Sequence, residues 1–387
     1  MKTTAAAAPV RFDPLLLCAV LALVALGLVM VYSASAILAQ DKLGDSLYFL
    51  KRQLMAAGLG VVAMAVAMKV GWRRLARLAW PLLIVTLILL VLVLIPGIGT
   101  TAGGARRWIR FPGFGLQPAE LAKFAWVVYL SYSLAKKREK VATFSVGFLP
   151  HLLLCGVLVA LCMRQPDFGS SVLLVFLLFV LLFAAGTKLS YLVGSVLLAL
   201  PLAYVAIASS PYRMKRVTAF LDPWAHRHDS GYQVAESLMS IGSGGLTGLG
   251  LGDGRQKLFF LPEAHTDFIF AIIGEELGLV GVTLLVALYA IVIWRGVRIS
   301  LAAPETFGTY LGLGLTSIIA FQAAVNMCVA MGLLPTKGLT LPFVSYGGTS
   351  LLVLMGAAGV LLSLSANTQG AGNRTARAGT DMREVAA

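Results

Sequence analysis

The stretch LPEAHTDFIF, residues 261–270, runs from a polar, acid-rich segment directly into a long apolar helix. Asp267 therefore lies at the edge of a predicted membrane span, where a carboxylate is costly: about 2.5–3.5 kcal/mol at mid-helix and less near the end. A cation that holds Asp267, or a substrate that uses it, would offset this cost. The helix dipole alone also favours an acid at a helix N-terminus, so the pattern leaves a functional and a structural role open.

The rest of the chain has the composition of a polytopic membrane protein. Of its 387 residues, 59% are hydrophobic and 12% are charged, whereas soluble domains carry about 25% charged residues. The first apolar run, residues 14–40, has no charge and is too long for a secretory signal. We predict an all-α fold in one transmembrane domain, residues 1–366, followed by a disordered cytoplasmic tail, residues 367–387.

Ten apolar segments predict ten transmembrane helices, each long enough for a hydrocarbon core of about 30 Å. They cover residues 14–37, 53–69, 76–96, 119–135, 147–163, 168–186, 189–208, 266–294, 306–332 and 342–366. An even number places both termini on one side. Lys and Arg divide almost equally between the two sides, but tight clusters at 69–77 and 136–140 predict that these short loops and both termini are cytoplasmic.

The segment between the seventh and eighth spans, residues 209–265, is predicted to be an extracytoplasmic cap. It exceeds the usual loop length, yet it contains Pro223, Trp224 and apolar residues, so we expect it to be ordered. Seven glycines lie between residues 242 and 254, but the Gly-Lys-Ser/Thr of a P-loop does not follow them. This run predicts a flexible, close-packed connector.

Charge and cysteine usage exclude several function classes. The formal net charge is +14, but no basic face lies outside the membrane pattern, so anchoring to anionic lipid is favoured over nucleic-acid binding. The four cysteines fall in apolar runs without a Cys-x-x-Cys pair or a Cys/His cluster. Disulfides and a zinc site are therefore not expected.

Several polar groups fall on the predicted outer face. Arg107 lies in an arginine-rich stretch that suits either a phosphate site or interfacial anchoring. Glu120 and Lys123 are spaced i,i+3 and can pair on one helix face. Deeper in the eighth span, Glu275 and Glu276 are functional candidates by default, although a buried pair with Lys or Arg would also explain them.

Two further polar motifs lie on the same side. The turn RQPDFG, residues 164–169, is explained by Pro and Gly in turn positions. The stretch KGLTLPFVSYGGTS, residues 337–350, predicts either close helix approach or a polar cavity. A transporter should instead carry polar residues at mid-bilayer. A one-sided set of arginines with a lone carboxylate indicates a substrate at the outer leaflet, and we infer a lipid diphosphate.

Together these motifs closely resemble the SEDS family of membrane glycosyltransferases, named for shape, elongation, division and sporulation. The resemblance covers residues 12–366 and rests on short sequence motifs. They are RW at 107–108, QPAELAK at 117–123, QPDFG at 165–169, PEAHTDFIF at 262–270 and SYGG at 345–348. The stretch PTKGLTLP, residues 335–342, resembles the division branch most, and the sporulation branch is close.

The resemblance implies that the chain polymerises lipid II into β-1,4-linked glycan strands outside the cytoplasmic membrane and releases undecaprenyl diphosphate. Asp267 matches the family's essential acid, which would serve as the general base of a single inverting displacement. Arg107 matches its anion-binding arginine, and Arg52, Glu120 and Lys123 match further polar positions. The expected substrate-binding residues are Arg52, Arg107, Gln117, Glu120, Lys123, Gln165, Asp167, His265, Lys337 and Ser345.

The implied ligands are lipid II, the nascent glycan strand and membrane lipid. No tightly bound cofactor is expected. Whether a divalent cation, Mg²⁺ or Mn²⁺, takes part is left open. The chain has no large soluble domain that could hold a transpeptidase site, so a class B penicillin-binding protein and other division proteins are expected as partners. For such a partner, glycines 308, 312 and 314 indicate a surface for close helix approach. Two alternatives are a lipid II flippase and a non-catalytic scaffold that recruits a transpeptidase.

Overall fold

The computed structural model describes residues 12–384, except 103, 112–113, 210, 230, 258–259 and 337. Within these residues the α-helices are, in chain order, α1 Pro14–Leu43, α2 Tyr48–Val70, α3 Trp72–Leu92, α4 Pro118–Lys137, α5 Leu149–Arg164, α6 Phe168–Ala184, α7 Leu189–Ala208, α8 Pro211–Leu221, α9 Tyr232–Ser243, α10 Ile269–Leu301, α11 Thr306–Ala330 and α12 Gly348–Glu384. A helix thus occupies each of the ten positions predicted to span the membrane.

Seven segments in the described part of the chain are long and apolar enough to cross a membrane. They are α1, α2, α3, Phe144–Arg164, α10, α11 and Gly348–Ala366. Helix α6 and the segment Leu189–Pro201 are apolar but shorter. The fold is therefore that of a mostly helical, multi-pass membrane protein.

The all-α prediction needs one correction, because the segment between α3 and α4 forms a small antiparallel sheet. Its strands are β1 Gly99–Ala102, β2 Ala105–Phe111 and β3 Phe114–Leu116, in the order β1-β2-β3. Gly104 has φ +74° at the turn between β1 and β2, a conformation that glycine adopts without steric cost. Such short strands leave little periodicity in the sequence, and for this reason the pattern did not reveal them.

Helix α4 lies at the centre of the bundle. It packs against α3, α6, α11 and α12, and it is buried along nearly its whole length. The packing explains how a helix with Glu120 and Lys123 near its start enters an apolar bundle: neighbouring protein, rather than lipid, surrounds those charges.

The glycines of α11 face the chain's own helices, which corrects the expectation that they offer a surface to a partner. A Cβ on Gly312 would lie 2.3 Å from Ser300 Oγ of α10, and one on Gly314 would lie 2.5 Å from Val127 Cγ1 of α4. Close approach does occur here, but within the bundle.

Helix α10 is broken at Gly278, whose φ and ψ are +63° and −160°. The glycine-rich segment 245–250 runs alongside the break. Leu249 N donates to Glu275 O at 3.0 Å, and Leu279 N donates to Gly245 O at 3.0 Å. A Cβ on Gly278 would lie 2.3 Å from Gly248 N, so the backbones meet only because glycine occupies this position. The close-packed connector predicted from the glycine run is confirmed in its packing.

Helices α8 and α9 lie inside the predicted cap, residues 209–265. The boundaries of the single domain, the cap and the tail stay predictions.

Candidate active site

Asp267 lies two residues before the start of α10 and is half-buried. Asn326 of α11 fixes its backbone: Asn326 Nδ2 donates to Asp267 O at 2.8 Å and to Leu339 O at 2.7 Å. A Cβ on Gly338 would lie 3.1 Å from Asp267 Oδ2. The carboxylate therefore lies beside the backbone of residues 338–339, at a point where three segments of chain meet.

Ser345 links the loop before α12 to the segment that contains Asp267 through hydrogen bonds. Its hydroxyl donates to Thr266 O at 2.6 Å and accepts from Leu341 N at 2.8 Å. Gln53 of α2 holds the same loop, because its Nε2 donates to Ser345 O at 3.1 Å. The SYGG and PEAHTD motifs are thus in direct contact, as their predicted common site requires.

His265 is buried beside two aromatic rings, with its ring centroid 4.6 Å from that of Phe49 and 5.7 Å from that of Tyr346. Burial lowers the pKa of His265, while Glu263 opposes the shift. The ring is therefore neutral at pH 7 and packs as an aromatic group.

Arg52 is exposed, and its guanidinium lies 4.5 Å from the ring centroid of Tyr48. Burial raises the pKa of the Tyr346 hydroxyl, and the neighbouring Arg52 charge and a hydrogen bond from it oppose that rise. Arg52 thus joins the His265–Tyr346 side of the site and keeps an exposed positive charge there.

Arg107 of β2 binds the turn before α6. Its Nε donates to Gln165 O at 2.9 Å and its Nη2 to Pro166 O at 2.5 Å. These bonds use two of the five N–H donors of a guanidinium. The side chain therefore anchors the sheet to this turn, and its predicted phosphate role stays a prediction.

Asp167 caps the N-terminus of α6. Its Oδ1 accepts from Ser170 N at 3.1 Å and its Oδ2 from Ser170 Oγ at 2.8 Å, which accounts for a buried carboxylate in structural terms. Gln165 is also buried and donates from Nε2 to Leu90 O at 3.2 Å. A Cβ on Gly169 would lie 2.9 Å from the Leu339 side chain, so the α6 cap adjoins the segment beside Asp267.

Glu120 and Lys123 form a buried ion pair, with Lys123 Nζ 2.6 Å from Glu120 Oε1. The i,i+3 pairing predicted from spacing is confirmed.

Just before this pair, Gln117 N donates to Thr349 Oγ1 at 3.2 Å, and Thr349 Oγ1 donates to Gly115 O at 2.7 Å. Thr349 thereby joins the start of α4 to α12.

The deeper acids are also bonded within the protein. Glu276 Oε1 lies 2.6 Å from Lys257 Nζ, and Ser33 Oγ donates to Glu276 at 2.7 Å. Glu275 Oε1 accepts from Arg255 N at 2.7 Å. The prediction of a buried pair with Lys or Arg is confirmed for Glu276.

Asp267 and His265 lie on one segment, and Ser345 bonds to that segment at Thr266 O. These three residues form the Asp267 set, and Arg52 lies at its edge beside Tyr346. Arg107, Gln165 and Asp167 form a second set around the α6 cap. Lys337 lies outside the described residues. The described ranges contain no group of three or more His, Cys, Asp or Glu side chains that could hold a metal ion.

Sequence reasoning missed Asn326, Gln53 and Lys257. Asn326 is a buried amide within an apolar span, and a polar side chain in such a span is a functional candidate by default. The position of Asn326 within an apolar span could therefore have identified it from the sequence. Gln53 lies at the start of a predicted span and Lys257 lies in the predicted cap, and polar residues are ordinary at both places.

Comparison with known proteins shows similarity over nearly the whole chain. Residues 14–370 match the model of a family described as cell cycle protein, which comprises FtsW, RodA and SpoVE. The probable peptidoglycan glycosyltransferase FtsW of Geobacter metallireducens is 49% identical over 360 residues, 93% of this chain and 96% of that protein. Stage V sporulation protein E of Bacillus subtilis is 44% identical over 356 residues, 91% of this chain and 96% of that protein.

Solved structures show the same similarity. A chain in a structure described as structural coordination of polymerization and crosslinking by a peptidoglycan synthase complex has a TM-score of 0.78 and 32% identity. The match covers 92% of this chain and 98% of that one. The rod shape determining protein RodA of Thermus thermophilus has a TM-score of 0.67 and 31% identity, over 92% of this chain and 97% of that one.

Proposed function

The chain belongs to the FtsW, RodA and SpoVE family of cell cycle proteins, and we propose that it is a peptidoglycan glycosyltransferase. The SEDS resemblance inferred from the motifs is thereby confirmed. In this proposal it polymerises lipid II into β-1,4-linked glycan strands for septal synthesis in cell division. The similarity to FtsW proteins supports the division role.

The observation that carries the proposal is the placement of Asp267. Its backbone is held by Asn326 and its carboxylate lies beside Gly338, yet the residue is only half-buried. A fixed but accessible carboxylate suits a general base. Asp267 would accept the proton of the acceptor GlcNAc 4-hydroxyl as that oxygen attacks the anomeric carbon of the donor MurNAc. Undecaprenyl diphosphate leaves from the opposite face, so one displacement converts an α-linkage into a β-linkage.

The leaving diphosphate needs positive charge nearby. Arg52 is exposed at the edge of the Asp267 set, so it is the best placed of the three cations to contact the diphosphate. Arg107 is half-buried and fixed in orientation by two carbonyl groups. Lys123 is 1% exposed and its charge is compensated by Glu120, so it fits a positioning role within the bundle better than direct contact with diphosphate.

The proposed membrane arrangement has ten spans, formed by α1–α7 and α10–α12, with both termini cytoplasmic and α8 and α9 in an extracytoplasmic cap. The Asp267 set then faces outward. The basic residues 136–140 at the far end of α4 support this orientation, because Lys and Arg in short loops favour the cytoplasmic side.

The proposed partner is a class B penicillin-binding protein that crosslinks the strands. Support comes from the similarity to a chain of a peptidoglycan synthase complex. Other division proteins are proposed from the family membership.

The deciding experiment is polymerisation of labelled lipid II by the purified protein, alone and with a transpeptidase, and with and without Mg²⁺ or Mn²⁺. Wild-type protein should make glycan strands, and Asp267→Asn should bind lipid II without polymerising it. Equal synthesis by both proteins would reject the base role. Lipid II translocation across vesicles without any synthesis would favour the flippase alternative.

A further inference from the structure

A cavity of about 730 Å³ opens at the end of α4 that is opposite Pro118. Helix α4 has 20 residues, which corresponds to a length of about 30 Å. Lys136 and Lys137, at one end of the cavity, therefore lie about one hydrocarbon thickness away from the start of α4. Residues of α3, of α4 and of the turn after α4 line it.

One wall of the cavity is aromatic. It consists of Trp80 of α3 with Tyr129 and Tyr132 of α4. Trp80 and Tyr129 are in edge-to-face contact, with ring centroids 4.9 Å apart. Trp80 is 51% exposed although it belongs to an apolar helix suited to span a membrane. Trp80 is thus the exposed part of this wall, and Tyr129 lies buried behind it.

The mouth of the cavity is basic. Lys136, Lys137, Arg138 and Lys140 line it, with Glu139 as the one acid among the lining residues. None of the four cations forms an ion pair with another described residue. Lys137 Nζ donates to Val146 O at 2.7 Å. Elsewhere, cations that enter the bundle are matched by acids, as Lys123 is by Glu120 and Lys257 by Glu276.

The backbone at the mouth is strained. Arg138 has φ +45° and ψ −120°, a conformation that is unfavourable for any residue other than glycine. A glycine would relieve this strain but would remove the charge. Arg138 turns the chain from α4 into the 3₁₀ segment Arg138–Ala142, so that the cations of α4 and of the turn surround one opening.

We propose that this cavity binds one anionic phospholipid, with its phosphate among the four cations and an acyl chain along Trp80 and Tyr129. Basic pockets between transmembrane helices suit anionic headgroups, and Tyr and Trp suit the level where headgroup meets hydrocarbon. A free phosphate ion would satisfy the basic mouth but would leave the aromatic wall without a function. This site is separate from the Asp267 set and does not depend on the glycosyltransferase proposal.

The test measures lipid binding to the purified full-length protein by native mass spectrometry. The probes are phosphatidylglycerol, phosphatidylcholine with the same acyl chains, and inorganic phosphate. The mouth variant combines Lys136→Gln, Arg138→Gly and Lys140→Gln, and it spares Lys137 because of its bond to Val146. The matched control combines Lys69→Gln, Arg74→Gln and Arg77→Gln, three exposed cations on the same predicted face outside the cavity.

Wild-type protein and the control should each retain one phosphatidylglycerol at least about tenfold more tightly than phosphatidylcholine, since each cation near an anionic headgroup favours binding. The mouth variant should lose this preference, and Trp80→Ala should weaken phosphatidylglycerol without changing inorganic phosphate binding. Equal losses in the mouth variant and the control would show general surface electrostatics and overturn the proposal. Inorganic phosphate binding as tightly as phosphatidylglycerol would also overturn it. If the mouth variant does not fold, the double variant Lys136→Gln, Lys140→Gln takes its place in the same comparison with the control.

Discussion

Lys257 and Glu276 form an ion pair, with Lys257 Nζ 2.6 Å from Glu276 Oε1 and side chains that are 4% and 0% exposed. Lys257 belongs to the predicted cap, and Glu276 lies two residues before the break of α10. Ser33 of α1 bonds to the same carboxylate. The pair therefore ties the cap and α1 to the helix that follows Asp267.

Loss of one partner should destabilise the protein strongly. Lys257→Met leaves the Glu276 charge buried without compensation, and such losses cost about 3–5 kcal/mol. We expect a clear fall in the midpoint of thermal unfolding in detergent, with partial recovery when Glu276→Met is added. Lys51→Met is the control, because its pair with Asp45 is largely exposed and exposed pairs contribute about 0–1 kcal/mol. Similar losses in Lys257→Met and Lys51→Met would contradict the stabilising role.

Asp267→Asn should abolish polymerisation while leaving the fold intact. The amide keeps the shape of the side chain but cannot accept the proton, and loss of a general base costs about 10²–10⁴-fold in rate. The rate of glycan synthesis from labelled lipid II checks this expectation. Asp229→Asn, which alters an exposed acid in the cap, should retain wild-type activity. A near wild-type rate for Asp267→Asn would instead favour a scaffold.

The sequence predicted the positions of the long apolar helices and the Glu120–Lys123 pair, because the first depend on local apolar length and the second on spacing within a helix. It did not predict the break at Gly278, which is stabilised by backbone bonds to residues 245–250. The link from Gln53 to Ser345 also escaped prediction, since these residues are 292 positions apart. Local patterns contain no information on such contacts. The sequence therefore predicted that the motifs at 262–270 and 345–348 belong together, but not which contacts join them.

Asn326 is expected to act as a positioning residue for Asp267. Asn326→Leu removes both of its hydrogen bonds, to Asp267 O and Leu339 O, and a displacement of about 1 Å at a reacting group can cost about 10²-fold. We expect kcat to fall by about 10–100-fold with little change in lipid II affinity. The control residue is Gln322, which lies one turn earlier on α11. Its buried amide has no hydrogen-bond partner among the described residues, so Gln322→Leu should not reduce kcat. Equal kcat values for the two variants would remove the positioning role.

His265 should make the stability of the protein depend on pH in the acidic range. Burial lowers its pKa in the folded state, whereas an unfolded histidine titrates near about 6.5. Below that value the unfolded state binds more protons, so stability should be full above about pH 6.5 and should fall as the pH drops toward the folded pKa. Thermal midpoints between about pH 7.5 and 5 measure this slope. His265→Gln should flatten it, whereas His228→Gln, at an exposed position in the cap, should not. An unchanged slope in His265→Gln would assign the pH dependence to other groups.

Arg107→Lys tests whether this residue binds diphosphate in addition to anchoring the turn before α6. Lysine keeps the charge but loses the planar guanidinium, which here bonds to Gln165 O and Pro166 O and suits bidentate phosphate contact. We expect a higher KM for lipid II with membrane insertion intact, and a larger effect for Arg107→Ala. Arg110→Lys is the control, since Arg110 lies on the same strand and is exposed. A purely structural role would lower the thermal midpoint of both Arg107 variants without raising KM. Unchanged KM and lipid II binding in both variants would therefore limit Arg107 to anchoring the turn.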